Sequence, residues 1–265
     1  MRYSIPLGLL AAFTCFAGLG ACEVAWAGQQ TQVAETRTAQ EVQQPPKSQP
    51  LSAEARGDIF MARKMYREAI DMYLQIKPPS HIVYNKIGIS YHQMGQLDTA
   101  KKHYDRAIKA NSKYAEAINN LGTIFYAKKN YRKAISTYRK ALVLTPNSAS
   151  IHSNLGTAYF ARRDYRRATE SYEKALSLDP DVFEHRSTQG VLLQERSVEE
   201  RAKFHYYLAK MYAKIERNDL ALQYIRKSLE EGFKDRQKYL EETEFVKLRE
   251  LPEFVELMKL QPRVL

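Results

Sequence analysis

Apolar residues in this chain come in short runs spaced three and four apart, and the runs themselves recur. Between Ala115 and Ser148, Ile118, Leu121, Gly122 and Phe125 mark one helical face. Ala134, Ile135, Tyr138, Ala141 and Leu142 mark a second. The polar turn Lys128-Lys129-Asn130 separates the two, and Pro146, which has no N–H to donate, closes the second. The pattern predicts a helical hairpin. It then repeats: Gly88, Gly122 and Gly156 stand 34 residues apart, in step with Ala100, Ala134 and Ala168 and with Tyr104, Tyr138 and Tyr172. A fixed period of this length predicts stacked supersecondary units. One hairpin cannot bury both of its faces, so its neighbours must cover it. Small residues such as Gly122 and Ala134 would let the paired backbones approach, with Phe125 and Tyr138 filling the space beside the crossing.

The framework Leu121-Gly122, Phe125, Ala134, Tyr138, Ala141, Pro146 resembles the tetratricopeptide repeat. Leu155-Gly156, Tyr159, Ala168, Tyr172, Ala175, Pro180 repeats it, and Tyr84, Ile87-Gly88, Tyr91, Ala100, Tyr104, Ala107 precedes it with Ser112 in place of Pro. A degenerate first copy keeps Gly57, Phe60, Ala69 and Tyr73, closed early by Pro78-Pro79. A fifth keeps Leu208, Tyr212 and Ala221, with Ala209 for Gly and Ile225 for Tyr. The resemblance implies an all-α, right-handed α-solenoid of about five repeats over residues 51–235. It also implies a role in displaying a surface to a partner.

Register breaks once. Gly156 to Ala209 spans 53 residues, one period plus 19, which places an insertion near 183–201 containing Gly190-Val191-Leu192-Leu193. Ser197 with Glu200 reads as a capping box that starts the next helix. From 236 to 265, Phe245, Leu248, Leu251, Phe254, Leu257 and Leu260 are spaced to cap the open end of the array.

The N-terminus changes the picture of where the array works. Arg2 and the apolar run Ile5 to Leu19 read as an export signal. Ala25-Trp26-Ala27 would direct cleavage before Gly28. Leu19-Gly20-Ala21-Cys22 resembles a bacterial lipobox, which would cut after residue 21 and lipidate Cys22. Both exits remain open, as does an uncleaved membrane anchor, and all three put the repeats in the periplasm or on a cell-envelope membrane. Residues 28–50, rich in Gln with almost no large apolar side chains, read as a disordered tether. Cys15 and Cys22 are the only cysteines, so the repeats hold no disulfide or thiolate metal site.

The net charge is +11. Much of it falls at the bends of the hairpins: Arg63, Lys64 and Arg67; Lys128, Lys129, Arg132 and Lys133; Arg162, Arg163, Arg166 and Arg167. Stacking would align these as a basic ridge, either a solvated edge or a surface for an anionic membrane or an acidic protein. No nucleic-acid motif is visible and stacking aromatics are not interleaved with the charges, so nucleic acid is not expected as a partner.

No catalytic motif appears: no phosphate loop, HExxH, CxxC or nucleophile elbow. His152 occupies a framework packing position. His92 and His103 lie on facing helices without a third ligand, so neither a metal nor another cofactor is expected. Glu230-Glu231 and Glu241-Glu242 read as solvated helix ends.

What remains is a groove. In the tetratricopeptide repeat, defined positions of each first helix line the concave face. Carried over, these are Asn85, Lys86 and His92; Asn119, Asn120, Thr123 and Tyr126; Ser153, Asn154, Thr157 and Phe160; and Lys203, Tyr206, Tyr207 and Lys210. Amides offer both donor and acceptor to an extended backbone, and the aromatics can hold apolar side chains. The carboxylate clamp of some family members is out of register, with Ile89 or Thr123 where Asn is needed. The expectation is a non-enzymatic scaffold of the cell envelope that binds a peptide or helix of a partner protein. The alternative is a pilotin-type lipoprotein assisting assembly of an outer-membrane, secretion or pilus complex.

Overall fold

The computed structural model of the chain describes residues 50–184 and 197–260. The expected export segment with Cys15 and Cys22, the expected tether up to residue 49, and Gly190 to Leu193 of the expected insertion lie outside the described residues. The described residues are helical, without a strand among them. They form five consecutive hairpins: α1 (Ala53–Ala62) with α2 (Tyr66–Leu74), α3 (His81–Gln93) with α4 (Leu97–Ala110), α5 (Ala115–Ala127) with α6 (Tyr131–Leu144), α7 (Ala149–Ala161) with α8 (Tyr165–Leu178), and α9 (Val198–Lys214) with α10 (Asn218–Glu230).

Side chains fix where these helices begin. Ser52, Ser80, Asn130, Ser148 and Asp164 each accept a backbone N–H three residues on. These bonds satisfy donors that a helix start leaves unpaired. Ser197 does the same for Glu200 at 3.2 Å, so the expected helix start after the insertion is present.

The turns share one backbone device. Lys64, Lys129, Arg163 and Glu216 adopt φ of 60, 58, 61 and 61°, and Gly95 adopts 74° at the equivalent place. A left-handed residue reverses the chain between the paired helices, and a Cβ makes that conformation costly. Lys129→Gly is therefore expected to raise stability by about 0.5–1 kcal/mol, read as a shift in the denaturant midpoint at unchanged slope.

The repeating glycine has a closer reason than backbone approach. A Cβ on Gly88, Gly122 or Gly156 would lie 2.6, 2.5 or 2.5 Å from the ring of Tyr104, Tyr138 or Tyr172, which are the tyrosines sixteen residues on. Each ring is fully buried, with Cε1 and Cδ1 closest to where that Cβ would stand. In the fifth hairpin the pair becomes Ala209 and Ile225, both fully buried.

Between hairpins, each second helix packs on the next first helix, and successive first helices (α3 with α5, α5 with α7) also touch. Successive first helices therefore share one face of the array.

The C-terminal end is sealed. α11 (Gln237–Glu241), a 3-10 turn at Thr243–Phe245, α12 (Val246–Arg249) and α13 (Pro252–Lys259) bury Tyr239, Phe245, Leu248, Phe254 and Leu257. The apolar spacing from Phe245 onward is thus divided among short pieces, with Pro252 opening the last of them.

Candidate partner-binding groove

The face that the first helices share is built from an amide ladder between neighbouring repeats. Asn120 Nδ2 donates to Asn85 Oδ1 at 3.0 Å, and Asn154 Nδ2 donates to Asn119 Oδ1 at 3.1 Å. Asn85 Nδ2 in turn donates to Glu116 Oε1 at 2.9 Å, and the Tyr114 hydroxyl donates to the other oxygen of that carboxylate at 2.8 Å. Asn85 is 1% exposed and Asn154 is 6% exposed. A buried amide needs such partners, because an unmade bond costs more than a made one gains.

The groove lysines are also engaged. Lys86 Nζ lies 2.8 Å from Glu54 and 2.7 Å from Asp58, and the Tyr73 hydroxyl donates to Asp58 at 2.7 Å. Burial opposes the Lys86 charge, but hydrogen bonds to the two carboxylates outweigh it and hold its pKa above that of ordinary lysine. Lys210 lies 3.0 Å from Glu242 and 3.4 Å from Glu244 of the cap, and the same balance raises its pKa.

Several expected lining residues belong to the packed interior. Ser153, Thr157, Tyr126, Phe160 and Tyr206 are all buried. Thr157 donates to the Ser153 carbonyl at 2.9 Å and accepts from the Tyr172 hydroxyl at 3.3 Å. Tyr126 packs on Tyr131, and Tyr206 stacks on Phe233 with ring centres 4.5 Å apart. Burial, with Glu242 beside it, pushes the Tyr206 hydroxyl pKa well up. The expectation that all these side chains face a partner is narrowed accordingly.

The half-exposed remainder is Asn119, Asn120, Thr123, His92, Lys203 and Tyr207. Within the ladder Asn119 uses its carbonyl and Asn120 its NH₂. That leaves the Asn119 NH₂ and the Asn120 side-chain carbonyl outside the ladder, on half-exposed side chains. Thr123 donates to the Asn120 backbone carbonyl at 2.7 Å. Further along, Tyr207 stacks on Tyr165 at 5.5 Å and Lys203 Nζ sits 3.8 Å from the Tyr165 ring centre, beside Phe160. Lys203 also lines a cavity of 180 Å³ together with Tyr206, Phe233 and Lys238.

Sequence reasoning missed Glu116, Glu54, Asp58 and Tyr165 as members of this surface. Glu116 shares the register of Lys203, so the period could have found it. Glu54 and Asp58 belong to the degenerate first repeat, where the pattern is weakest. Among the described residues the histidines form no cluster: His103 stacks on Tyr91 at 5.4 Å, and burial, with help from Arg106, pushes its pKa down to about 4. His92 is lowered by burial alone. His152 accepts or donates at the Pro146 carbonyl at 2.9 Å. Among the described residues no group of three potential ligands is placed to hold a metal, and no helix is long and apolar enough to cross a membrane.

Comparison with known proteins bears on this arrangement. The pattern described as TPR repeat matches residues 88–128 and 122–162, and that described as tetratricopeptide repeat matches residues 149–182. The uncharacterized protein ycf37 of Pyropia yezoensis is 39% identical over 66 residues, 25% of this chain and 37% of that one. A heat-shock protein cognate co-chaperone, sgt12 of Aspergillus fumigatus, is 31% identical over 131 residues, 48% of this chain and 38% of that one. The photosystem I assembly protein Ycf3 of Synechococcus elongatus is 29% identical over 112 residues, 37% of this chain and 64% of that one. The chain thus spans well under half the length of the first two of these relatives. Among solved structures, MamA is 22% identical with a TM-score of 0.45, covering 66% of this chain and 93% of that one. YrrB, a TPR protein with an unusual peptide-binding site, is 23% identical with a TM-score of 0.43, covering 49% and 68%.

Proposed function

Because the chain carries tetratricopeptide repeats, we propose that it is a non-catalytic scaffold that binds a segment of a partner protein along the first helices of its hairpins. The observation that carries this reading is the half-used amide pair. Asn119 and Asn120 keep one donor and one acceptor outside the ladder after it is made. An extended backbone offers the complementary carbonyl and N–H whatever its side chains are. The Tyr207–Tyr165 stack and Lys203 extend the surface with an apolar wall and a cation for the partner's side chains. Assembly and co-chaperone roles in the names of relatives are of this adaptor kind. The export-like N-terminus supports a cell-envelope setting for this work, free or anchored through Cys22.

The test compares capture of partners from a cell-envelope extract by the parent and by Asn119→Ala with Asn120→Ala. Loss of one net hydrogen bond to each amide corresponds to about 1 kcal/mol per site, so affinity for the captured partner should fall roughly tenfold or more. Equal retention by both proteins would remove the groove from the account. Because both amides also serve the ladder, Asn85→Ala serves as the control: it disturbs the ladder from a buried position and should affect stability more than binding.

A further inference from the structure

The hairpin turns form a second surface, separate from the amide ladder and independent of the groove reading. Each turn carries its left-handed residue outward, and in three of the five turns that residue is Lys64, Lys129 or Arg163. With Arg63, Arg67 and Arg162 they put exposed cations at the first, third and fourth turns. Among the described residues none of these six makes an ion pair. Neighbouring turns adjoin: Lys128 of the third turn pairs with Asp98 at the start of α4. A 500 Å³ cleft is lined jointly by Lys64, Met65, Tyr66, Arg67 and Glu68 of the first turn and Met94 of the second.

The same edge is not purely charged. Met65 is 36% exposed and Ile215, in the fifth turn, is 40% exposed. Tyr66, Tyr131 and Tyr165 open the second helix just after their turns and are half-buried. Tyrosines therefore do stand among the charges, but not as base-stacking rings. The rings of Tyr131 and Tyr165 pack back on Tyr126 and Phe160 and are not splayed out for base stacking.

We propose that this edge docks the array on an anionic phospholipid surface, with the lysines and arginines at the headgroup phosphates and Met65 and Ile215 reaching the acyl boundary. Cations interleaved with exposed apolar tips and amphipathic tyrosines are the composition that the membrane interface selects. A purely electrostatic partner would gain nothing from the thioether floor of the first cleft.

The test is flotation of the full chain with vesicles of phosphatidylcholine alone or with about a quarter phosphatidylglycerol. The ratio between the two removes any insertion of the apolar N-terminal run, which both vesicles allow. The variant is Lys129→Glu, Arg132→Glu, Arg162→Glu and Arg163→Glu together. All four are exposed, and Glu216 already occupies the left-handed turn position in the fifth hairpin, so the fold tolerates the change. The parent should prefer the anionic vesicles, and the variant should lose that preference by about a hundredfold or more. Met65→Ser with Ile215→Ser should weaken anionic binding by roughly tenfold without changing its salt dependence. Equal partition of the parent onto both vesicles, or an unchanged preference in the charge variant, overturns the proposal. Retention of a DNA duplex in place of anionic vesicles would assign the edge to nucleic acid and overturn it equally.

Discussion

Gly122→Ala is expected to destabilise the array by about 2 kcal/mol, although the same change in an open helix would stabilise by up to about 1 kcal/mol. The new Cβ would meet Tyr138 at 2.5 Å from Cε1 and 2.6 Å from Cδ1. The ring is fully buried and cannot swing away. The chain holds its own remedy in the fifth hairpin, where Ala209 faces Ile225. Gly122→Ala combined with Tyr138→Ile should therefore recover at least half of the loss. The tyrosine hydroxyl at this site has no partner among the described residues, so its removal forfeits no hydrogen bond. Chemical denaturation of the two single variants and the double gives the cycle. A double variant no more stable than Gly122→Ala would show that the ring is not what excludes the methyl group.

The second large effect belongs to the cap. Phe245 is fully buried, with its ring 5.1 Å from Tyr239 and 6.3 Å from Tyr206. Phe245→Ala removes a buried aromatic and should cost about 3–5 kcal/mol. Stability in a stacked array is a sum of units and neighbour contacts. The loss should therefore appear first as proteolytic opening of residues 237–259, with the earlier hairpins still folded. Val246→Ala, next in sequence but 49% exposed, should change stability by less than about 0.5 kcal/mol. Equal effects at the two positions would contradict the cap as described.

The period made the hairpins legible because each framework residue meets the same neighbour in every copy. Gly122 and Tyr138 could be paired from the repeat alone, but the ring lying on the glycine could not. That contact depends on a χ1 choice and a helix crossing that spacing does not encode. The groove was legible in location and less so in availability. Position within the repeat put Asn85, Asn119, Asn120 and Asn154 on one face. Which amide groups the neighbouring repeats consume depends on the side chain one repeat away, 35 residues distant in Asn120–Asn85 and Asn154–Asn119. Lys86 and Lys210 read as groove cations for the same reason. Their carboxylates come from the degenerate first repeat and from the cap, the two parts where the period is weakest.

The central claim is that a partner segment lies along the first helices. Amide hydrogen exchange of the protein with its captured partner, compared with the free chain, tests it most directly. The account predicts added protection confined to α5, α7 and α9, with the left-handed turns at Lys129 and Arg163 exchanging as before. Protection at those turns with none on the first helices would contradict it.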